Sequence, residues 1–328
     1  MAGYFVGVIE IMTIFLFGCL GELITEKSGH LNMGTPGIMC IGVLGAVVGV
    51  NTYSTAIGGD IANSNAFLAL LFPILFCLLF SGFAGLLYCL IVDTLHCNQN
   101  VTGLTITTLG AGLFPFIVSQ LQKTNVNLDT VLSNVARNYY MNTFVKTTSD
   151  SNWFVQVFLS HSFLVYLVII FAIITYIILK HTKVGLSLRS IGENPGTADS
   201  SGINVTKYKY IATVIGSCIS GLGGLFYVLV FTGGTLEYSA IEGFGWLAVA
   251  LVIFSIWNPI ISIGGSFVFA ATYELGLYVS VGGSVGKEFL KIVPFVVTII
   301  VLVVISLFNK RETQPPAALG LPYYREDR

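Results

Sequence analysis

Few residues in this chain have the type and spacing to do chemistry. The nearest approach to a phosphate loop is Gly282-Gly283-Ser284-Val285-Gly286-Lys287-Glu288. Such a loop needs a glycine, four residues, then Gly-Lys-Ser/Thr, so that backbone amides cradle phosphates and the hydroxyl holds magnesium. Here only Gly283, Ser284 and Val285 separate Gly282 from Gly286, and Glu288 stands where the hydroxyl belongs. The match is rejected. No HExxH helix and no nucleophile elbow occurs either, so enzyme chemistry has no visible home. The six cysteines (Cys19, Cys40, Cys77, Cys89, Cys97, Cys218) lie in or beside apolar runs without a CxxC pair. They read as small hydrophobes, with no metal site and no disulfide. That leaves carboxylates in apolar surroundings. Glu10 and Glu274 fall inside apolar runs and Glu242 at the edge of one. Charge inside a membrane is costly and faces a bundle interior or a cavity. Each is therefore a candidate for a translocation path, against the plainer reading of a structural carboxyl held by a neighbouring helix.

The elements that must position these groups are set by composition. Of 328 residues, 55% are hydrophobic and 9% charged, against about 25% charged in soluble domains. With a mean hydropathy of +0.85, the chain reads as an all-α polytopic integral membrane protein. A helical span needs about 20 apolar residues. By that measure nine spans are predicted, at 4–24, 31–50, 66–92, 101–120, 158–179, 211–232, 243–257, 260–280 and 290–308. The first lacks a basic leader and a small-residue cleavage site, so it reads as a span and not a signal peptide. The division expected is a transmembrane domain over 1–308 and a polar, Pro-containing tail over 309–328. Lysine and arginine concentrate on the cytoplasmic side of membranes. With the polar 184–209 loop inside, the tail is cytoplasmic, the N-terminus is external, and the sequons at Asn100 and Asn204 face the cytoplasm. The external segment 120–156 reads as a solvated loop or as a docking surface for an extracellular protein.

The 184–209 loop has its own logic. Asn194-Pro195 suits a helix entry, with Asn as cap and Pro in the first turn. Thr197, Ala198, Asp199 and Ser200 continue it for about two turns, and Gly202 suits a left-handed stop. A short helix along the membrane face can seat in a cleft of another protein, or serve as a plain connector. Its basic neighbours Arg189, Lys207 and Lys209 set topology rather than bind nucleotide, and nothing calls for nucleic acid.

Candidates for the path include Asn32, in an Asn-x-Gly stretch with Pro36 close by. Such an interrupted stretch can unwind and offer backbone groups to a polar cavity. Thr107 and Thr108 could hydrogen-bond a polar cargo, although threonine in membrane helices commonly bonds its own backbone. Phe244, Trp246 and Tyr273 could stack on a flat ring, or simply pack. Gly216-x3-Ser220-x3-Gly224 puts small residues on one face for close helix contact, within the chain or with a second membrane subunit.

Gly185-Leu186-Ser187-Leu188-Arg189-Ser190-Ile191-Gly192-Glu193-Asn194-Pro195, followed by Ala198-Asp199 and Gly202-Ile203, resembles the cytoplasmic loop of ABC-importer permeases. The group includes branched-chain amino-acid, ribose and nucleoside permeases, and the nucleoside pattern is the nearest. Three further stretches are similar to that group. They are Gly21-Glu22 through Glu26 to Asn32-Met33-Gly34, the run from Gly243 to Ala250 with Trp257-Asn258-Pro259, and the ending Pro315-Pro316-Ala317-Ala318-Leu319-Gly320. Two departures stand out. Pro36 occupies a position usually acidic in the family, and the 120–156 segment is longer and richer in Asn.

The resemblance implies a permease subunit of an ATP-driven importer in the cell membrane, with nucleosides the expected cargo and ribose-like sugars the alternative. It implies no cofactor in this chain, with ATP and Mg used by a cytoplasmic ABC ATPase. It also implies a second homologous permease and an extracellular substrate-binding lipoprotein. Glu193, Asn194, Pro195, Ala198, Asp199 and Gly202 would then form the contact with the ATPase. Two rivals from other classes remain. One is an ion-coupled secondary transporter with Glu10 and Glu274 as a relay, and the other is a channel-forming or structural membrane protein.

Overall fold

A computed structural model describes residues 2–58, 65–124, 127–143, 145, 152–237, 239–278, 292–293, 295–301, 303, 307 and 314–324. The helices of the described residues up to 278 are α1 Ala2–Lys27, α2 Thr35–Ala56, α3 Ala66–Cys89, α4 Gln99–Thr124, α5 Leu128–Val135, α6 Phe163–His181, α7 Lys183–Glu193, α8 Pro195–Ser200, α9 Val205–Phe226, α10 Ser239–Phe254 and α11 Pro259–Tyr278. α3 and α9 end in π-helical turns, Leu90–Thr94 and Tyr227–Phe231. Among the described residues there is no sheet, only an isolated bridge between Thr143 and Ser162.

Among the described residues six helices are long and apolar enough to cross a membrane: α1, α2, α3 with its π turn, α4, α6, and α9 with its π turn. They match the first six predicted spans. The predicted spans 243–257 and 260–280 correspond to α10, which has 16 residues, and α11, which has 20. The phosphate-loop lookalike at 282–288 lies outside the described residues, as does much of 290–308.

Boundaries differ where polar residues are helical. The span expected at 211–232 begins at Val205, because Asn204 caps it by accepting from the Lys207 amide at 3.0 Å. The span expected from 31 begins at Thr35, since residues 28–34 form a turn with Gly29 at φ +92°. The predicted helix after Asn194 is present as α8. Asn194 Oδ1 accepts from the Thr197 amide at 3.0 Å, and Gly202 closes it at φ +84°. The helix before it, α7, was not anticipated. Thr182 caps α7 by accepting from the Gly185 amide at 3.1 Å.

Lipid is as apolar as leucine, so helices in a membrane are held by close packing more than by hydrophobic burial. α1, α2 and α9 form the packed centre, with most of their length buried, whereas α3, α4 and α6 turn apolar sides such as Phe83, Phe116 and Ile170 outward. Glycines allow the approach. A Cβ on Gly216 would overlap the Gly21 backbone of α1, one on Gly224 would overlap Met39 of α2, and one on Gly42 would overlap Gly221 of α9. The Gly216-x3-Ser220-x3-Gly224 face is thus used within the chain. The 120–156 segment is not wholly a solvated loop. α5 buries Leu128, Val131, Leu132 and Val135 against the core, and Gly234 abuts Leu132.

Several of these turns and helix ends lie together at one end of the described structure. The end of α1, the starts of α2, α4 and α9, the helices α7 and α8, the α10–α11 corner and residues 316–324 meet there, as contacts below establish.

A methyl group at the α2–α9 contact cannot be accommodated without moving backbone. Gly42→Ala should lower stability by about 1–3 kcal/mol, the usual cost of overpacking. Gly264→Ala in α11 meets nothing within 4 Å and should be neutral or stabilising, since alanine is the better helix former. Thermal unfolding of the two variants in detergent checks the contrast. Equal stabilities would mean that α2 and α9 do not meet backbone to backbone.

Candidate functional site

The end of α1 carries Glu22 and Glu26, four residues apart and therefore on one face. Both are buried, at 1% and 2% exposure. A buried carboxylate must be met by donors. Glu22 accepts from the Asn32 amide at 3.2 Å and from the Thr35 hydroxyl at the start of α2. Glu26 accepts from the Trp257 indole N–H at the α10–α11 corner. At that corner Ile256 and Trp257 have φ of +54° and +51°, a conformation that costs non-glycine residues about 1–2 kcal/mol each. The bend is closed by bonds from the Trp257 amide to Val252 O and from the Asn258 amide to Ser255 O. The 28–34 turn is also fixed from outside. Its Leu31 amide donates to Gln99 Oε1 at 2.8 Å, and Leu31 O accepts from the Tyr88 hydroxyl at 2.9 Å.

Next to this turn lies a second polar group. His30 contacts Thr213 Oγ1 through Nδ1 and Asp93 Oδ1 through Nε2, each at 2.9 Å, and Lys209 Nζ is 3.9 Å from the same Asp93 oxygen. Burial pushes the His30 imidazole below its usual 6.5, opposed by the bond to Asp93 and its charge. A neutral ring donating from Nε2 and accepting the Thr213 hydroxyl at Nδ1 satisfies both contacts. Cys89 completes a trio with His30 and Asp93 whose donor atoms lie within 4.8 Å of one another. The residue types would suit a metal. However, both His30 nitrogens are engaged and Lys209 already supplies a cation to Asp93, so the trio is better described as a neutralised polar network.

α7 and α8 lie over this end. Gly192 packs against Lys27 O of α1. Ile191, Ala198 and Val205 form a small core of their own. The six sequence-predicted contact residues split by role. Glu193 and Asn194 are exposed, and Asn194 also caps α8. Pro195 and Asp199 are half-buried, Ala198 points into the small core, and Gly202 ends the helix. The outward face of α8 is completed by Thr197 and Ser200, which the sequence marked as helical but not as contact residues; their spacing of three from Asn194 was the available signal. A polar cavity of about 870 Å³ opens beside α8, with Asp93, Asp199, Lys209 and Tyr323 among its walls.

The proposed path residues do not gather in one place. Phe244, Trp246 and Tyr273 do come together, lining a cavity of about 840 Å³ along α10 with Glu237 and Ala250. Phe244 is the hub of its rings, in edge-on contact with Phe15 at 5.5 Å, Tyr227 at 5.9 Å and Tyr273 at 5.1 Å. The volume is within the roughly 300–1,000 Å³ usual for small-molecule sites. Glu274 follows Tyr273 but packs against Gly7 of α1, within charge–charge reach of Glu10. Glu242 is half-buried near Cys40.

Asn32 and Thr107 lie instead at the α1–α2 turn. Asn32 Oδ1 accepts from the Gly34 amide at 2.9 Å, and the Thr107 hydroxyl donates to Met33 O at 2.9 Å. Thr108 is exposed on α4 and bonds Leu104 O of its own helix. Pro36, at the position that departs from the family pattern, packs against Gly245 of α10. Glu22, Glu26, His30, Asp93 and Glu237 were missed as site residues, although two charges four apart in an apolar run were legible as a signal.

A family model described as the permease component of branched-chain amino acid transport systems matches residues 4–302. The nucleoside ABC transporter permease protein NupC of Lactococcus lactis is 30% identical, over 93% of this chain and 92% of its own length. The guanosine ABC transporter permease protein NupQ of Bacillus subtilis is 28% identical over 94% and 92%. A Haloferax volcanii protein provisionally named a glucose ABC transporter permease is 27% identical over 84% and 77%. No solved structure matches.

Two outcomes follow from the donor network. Trp257→Phe removes the donor to Glu26 and leaves a buried acceptor unmet, which should cost about 1–3 kcal/mol in thermal unfolding. Undiminished stability would mean that Glu26 is satisfied without the indole. For His30 the sign follows from its lowered value. As pH falls through 6.5, the unfolded chain takes up a proton that the folded chain does not, so stability is present above that pH and lost below it. His161 is shifted the same way by burial, so His30→Gln should flatten the loss between pH 7 and 5 in part. A slope identical to wild type would exclude a buried neutral His30.

Proposed function

The chain belongs to the permease-component family of branched-chain amino acid transport systems, and we propose that it is the membrane permease subunit of an ATP-driven ABC importer of nucleosides. The carrying observation is its 30% identity, over nearly the full length of both chains, to a nucleoside ABC transporter permease. It is a multi-pass membrane protein by its six long apolar helices. Nine crossings in all, with residues 1–308 as one transmembrane domain, fit a topology in which the N-terminus is external and the 309–328 tail cytoplasmic. The cell membrane is its site.

ATP and Mg act in a separate cytoplasmic ATPase, and no cofactor belongs to this chain. α8, with Glu193, Asn194 and Asp199 around it, is the coupling helix that seats in the ATPase. A second homologous permease completes the pore, and an extracellular substrate-binding lipoprotein delivers cargo. The cavity along α10 is the candidate for the cargo's passage. Its rings suit the flat face of a nucleobase, since base–aromatic stacking contributes about 1–3 kcal/mol, and Glu237 can accept from ribose hydroxyls. Glu242, Glu274, Asn32, Thr107 and Thr108 remain path candidates of lesser support, because most of them bond within the fold. The similarity to a provisionally named glucose permease favours a sugar as the second reading.

Uptake of a labelled purine nucleoside into cells with and without this chain tests the proposal. Ribose, glucose, a pyrimidine nucleoside and leucine serve as cold competitors. Uptake that depends on the chain, is competed by nucleosides and is lost on ATP depletion is expected. Competition by sugars alone would overturn the cargo. Loss to a protonophore at constant ATP would favour the ion-coupled reading instead. Trp246→Ala should slow nucleoside uptake by about tenfold if one stacking contact is removed.

A further inference from the structure

The C-terminal segment does not hang free in the described structure. Residues 316–324 run back across α7 and α8 and bond to four separate parts of the fold. The Ala318 amide donates to Gly192 O at the end of α7, at 2.9 Å. The Gly320 amide donates to Gly29 O in the α1–α2 turn, at 3.1 Å. Gly320 is at φ +77°, which glycine adopts without strain and which lets the chain reverse here. Gln99 Nε2, at the start of α4, donates to Leu321 O at 3.4 Å. The Tyr324 ring lies 4.9 Å from His96 after α3. Between these anchors the Tyr323 hydroxyl donates to Asp199 Oδ2 of α8 at 2.9 Å, while its ring packs on Ile191, Ala198 and Val205.

α8 has six residues, far fewer than an isolated helix needs for stability in water. Its position is therefore set by what it touches. Within the small core it contributes Ala198. From α8 the Asp199 carboxylate accepts from the Tyr323 hydroxyl of the tail. The same tail residue forms part of the wall of two cavities beside α8, one of about 870 Å³ and one of about 540 Å³ on the side of Gly196 and Ser200.

We infer that the segment Pro315–Tyr324 is a strap that fixes α8 to the body of the permease, with Tyr323 a positioning residue acting through Asp199. A push on α8 is then carried by the strap to the α1–α2 turn and the start of α4, as well as along the chain itself. The inference rests on reading α8 as the ATPase contact, and the experiment separates the two.

The full complex of permease, ATPase and binding protein is reconstituted in proteoliposomes with wild type, Tyr323→Phe and a chain ending at Thr313. Two quantities are read: ATP hydrolysed per nucleoside imported, and hydrogen exchange of the Ala198 and Ile203 amides. Assembly of the complex should persist for Tyr323→Phe. Exchange at both amides should quicken by about tenfold or more, the change that loss of one hydrogen bond to a charged group corresponds to. ATP spent per nucleoside should rise above that of the wild type, and further in the truncated chain if it assembles. Unchanged exchange in Tyr323→Phe would overturn the strap. Faster exchange with an unchanged ATP ratio would overturn its role in coupling. A wild-type complex without ATP-dependent uptake would sink the importer reading, and the exchange measurement would still decide the strap.

Discussion

A carboxylate withdrawn from water must be met by hydrogen-bond donors or a counter-charge, and α1 withdraws two of them a single turn apart. Glu22 and Glu26 cannot find donors on their own helix, whose amides are already committed. Asn32, Thr35 and Trp257 supply them from the α1–α2 turn, the first residue of α2 and the α10–α11 corner. The two glutamates thereby fix the relative positions of α1, α2 and α10 at one end of the bundle. Ile256 and Trp257 hold a backbone conformation that is unfavourable for both side chains. The donor that Trp257 presents to Glu26 is the contact in view that holds that corner in place.

Close packing does the rest. With no water to expel between helices, contact area and backbone approach decide which helices stay together. Gly21, Gly42, Gly216 and Gly224 bring α1, α2 and α9 within backbone reach of one another. α10 approaches this centre as well, through Gly245 at Pro36 and Ala248 at Gly18. The unit so formed is tightest where side chains are absent, and it opens where aromatic rings intervene, at Phe244 and Tyr273 around the cavity.

Much of this was legible in the sequence, and what was not has a common cause. The long spans were readable because an apolar run of about 20 residues has few other fates. α8 was readable because its cap, its proline and its terminal glycine act within a few residues of one another. α7 escaped because its apolar stripe of Leu188 and Ile191 is short and interrupted by glycines. The start of α9 escaped because Lys209 looks like a solvated residue until Asp93 is seen beside it, more than a hundred positions away. Asn32, marked by the broken pattern around it, and Thr107, marked by its hydroxyl, were read as candidates for the path, and both bond within the fold. Their partners are a glutamate on α1 and a carbonyl across the turn, and pairings over such distances leave no local mark. The tail's bonds run largely through backbone amides, which every sequence possesses.

Four stretches that resemble one family's motifs prove to be parts of one structure. The Glu22–Gly34 stretch, the α7–α8 loop, the Trp257 corner and the Pro315–Gly320 ending touch one another through Gly29, Gly192 and Glu26. A helix of 16 residues is about 24 Å long, so α10 carries the fixed Trp257 corner at one end and reaches past Trp246 and Phe244 toward the other. Any displacement imposed on α8 that reaches the α1–α2 turn acts on the carboxylates there, and Glu26 passes it to the corner of α10. Because a helix of this length moves nearly as a rigid rod, the aromatic wall of the cavity must shift or tilt when its corner does. Contiguity of this kind defines a route and not yet a two-state switch. It does require that disturbance at either end of α10 be felt at the other, and the left-handed corner at Trp257 is where that requirement is most exposed.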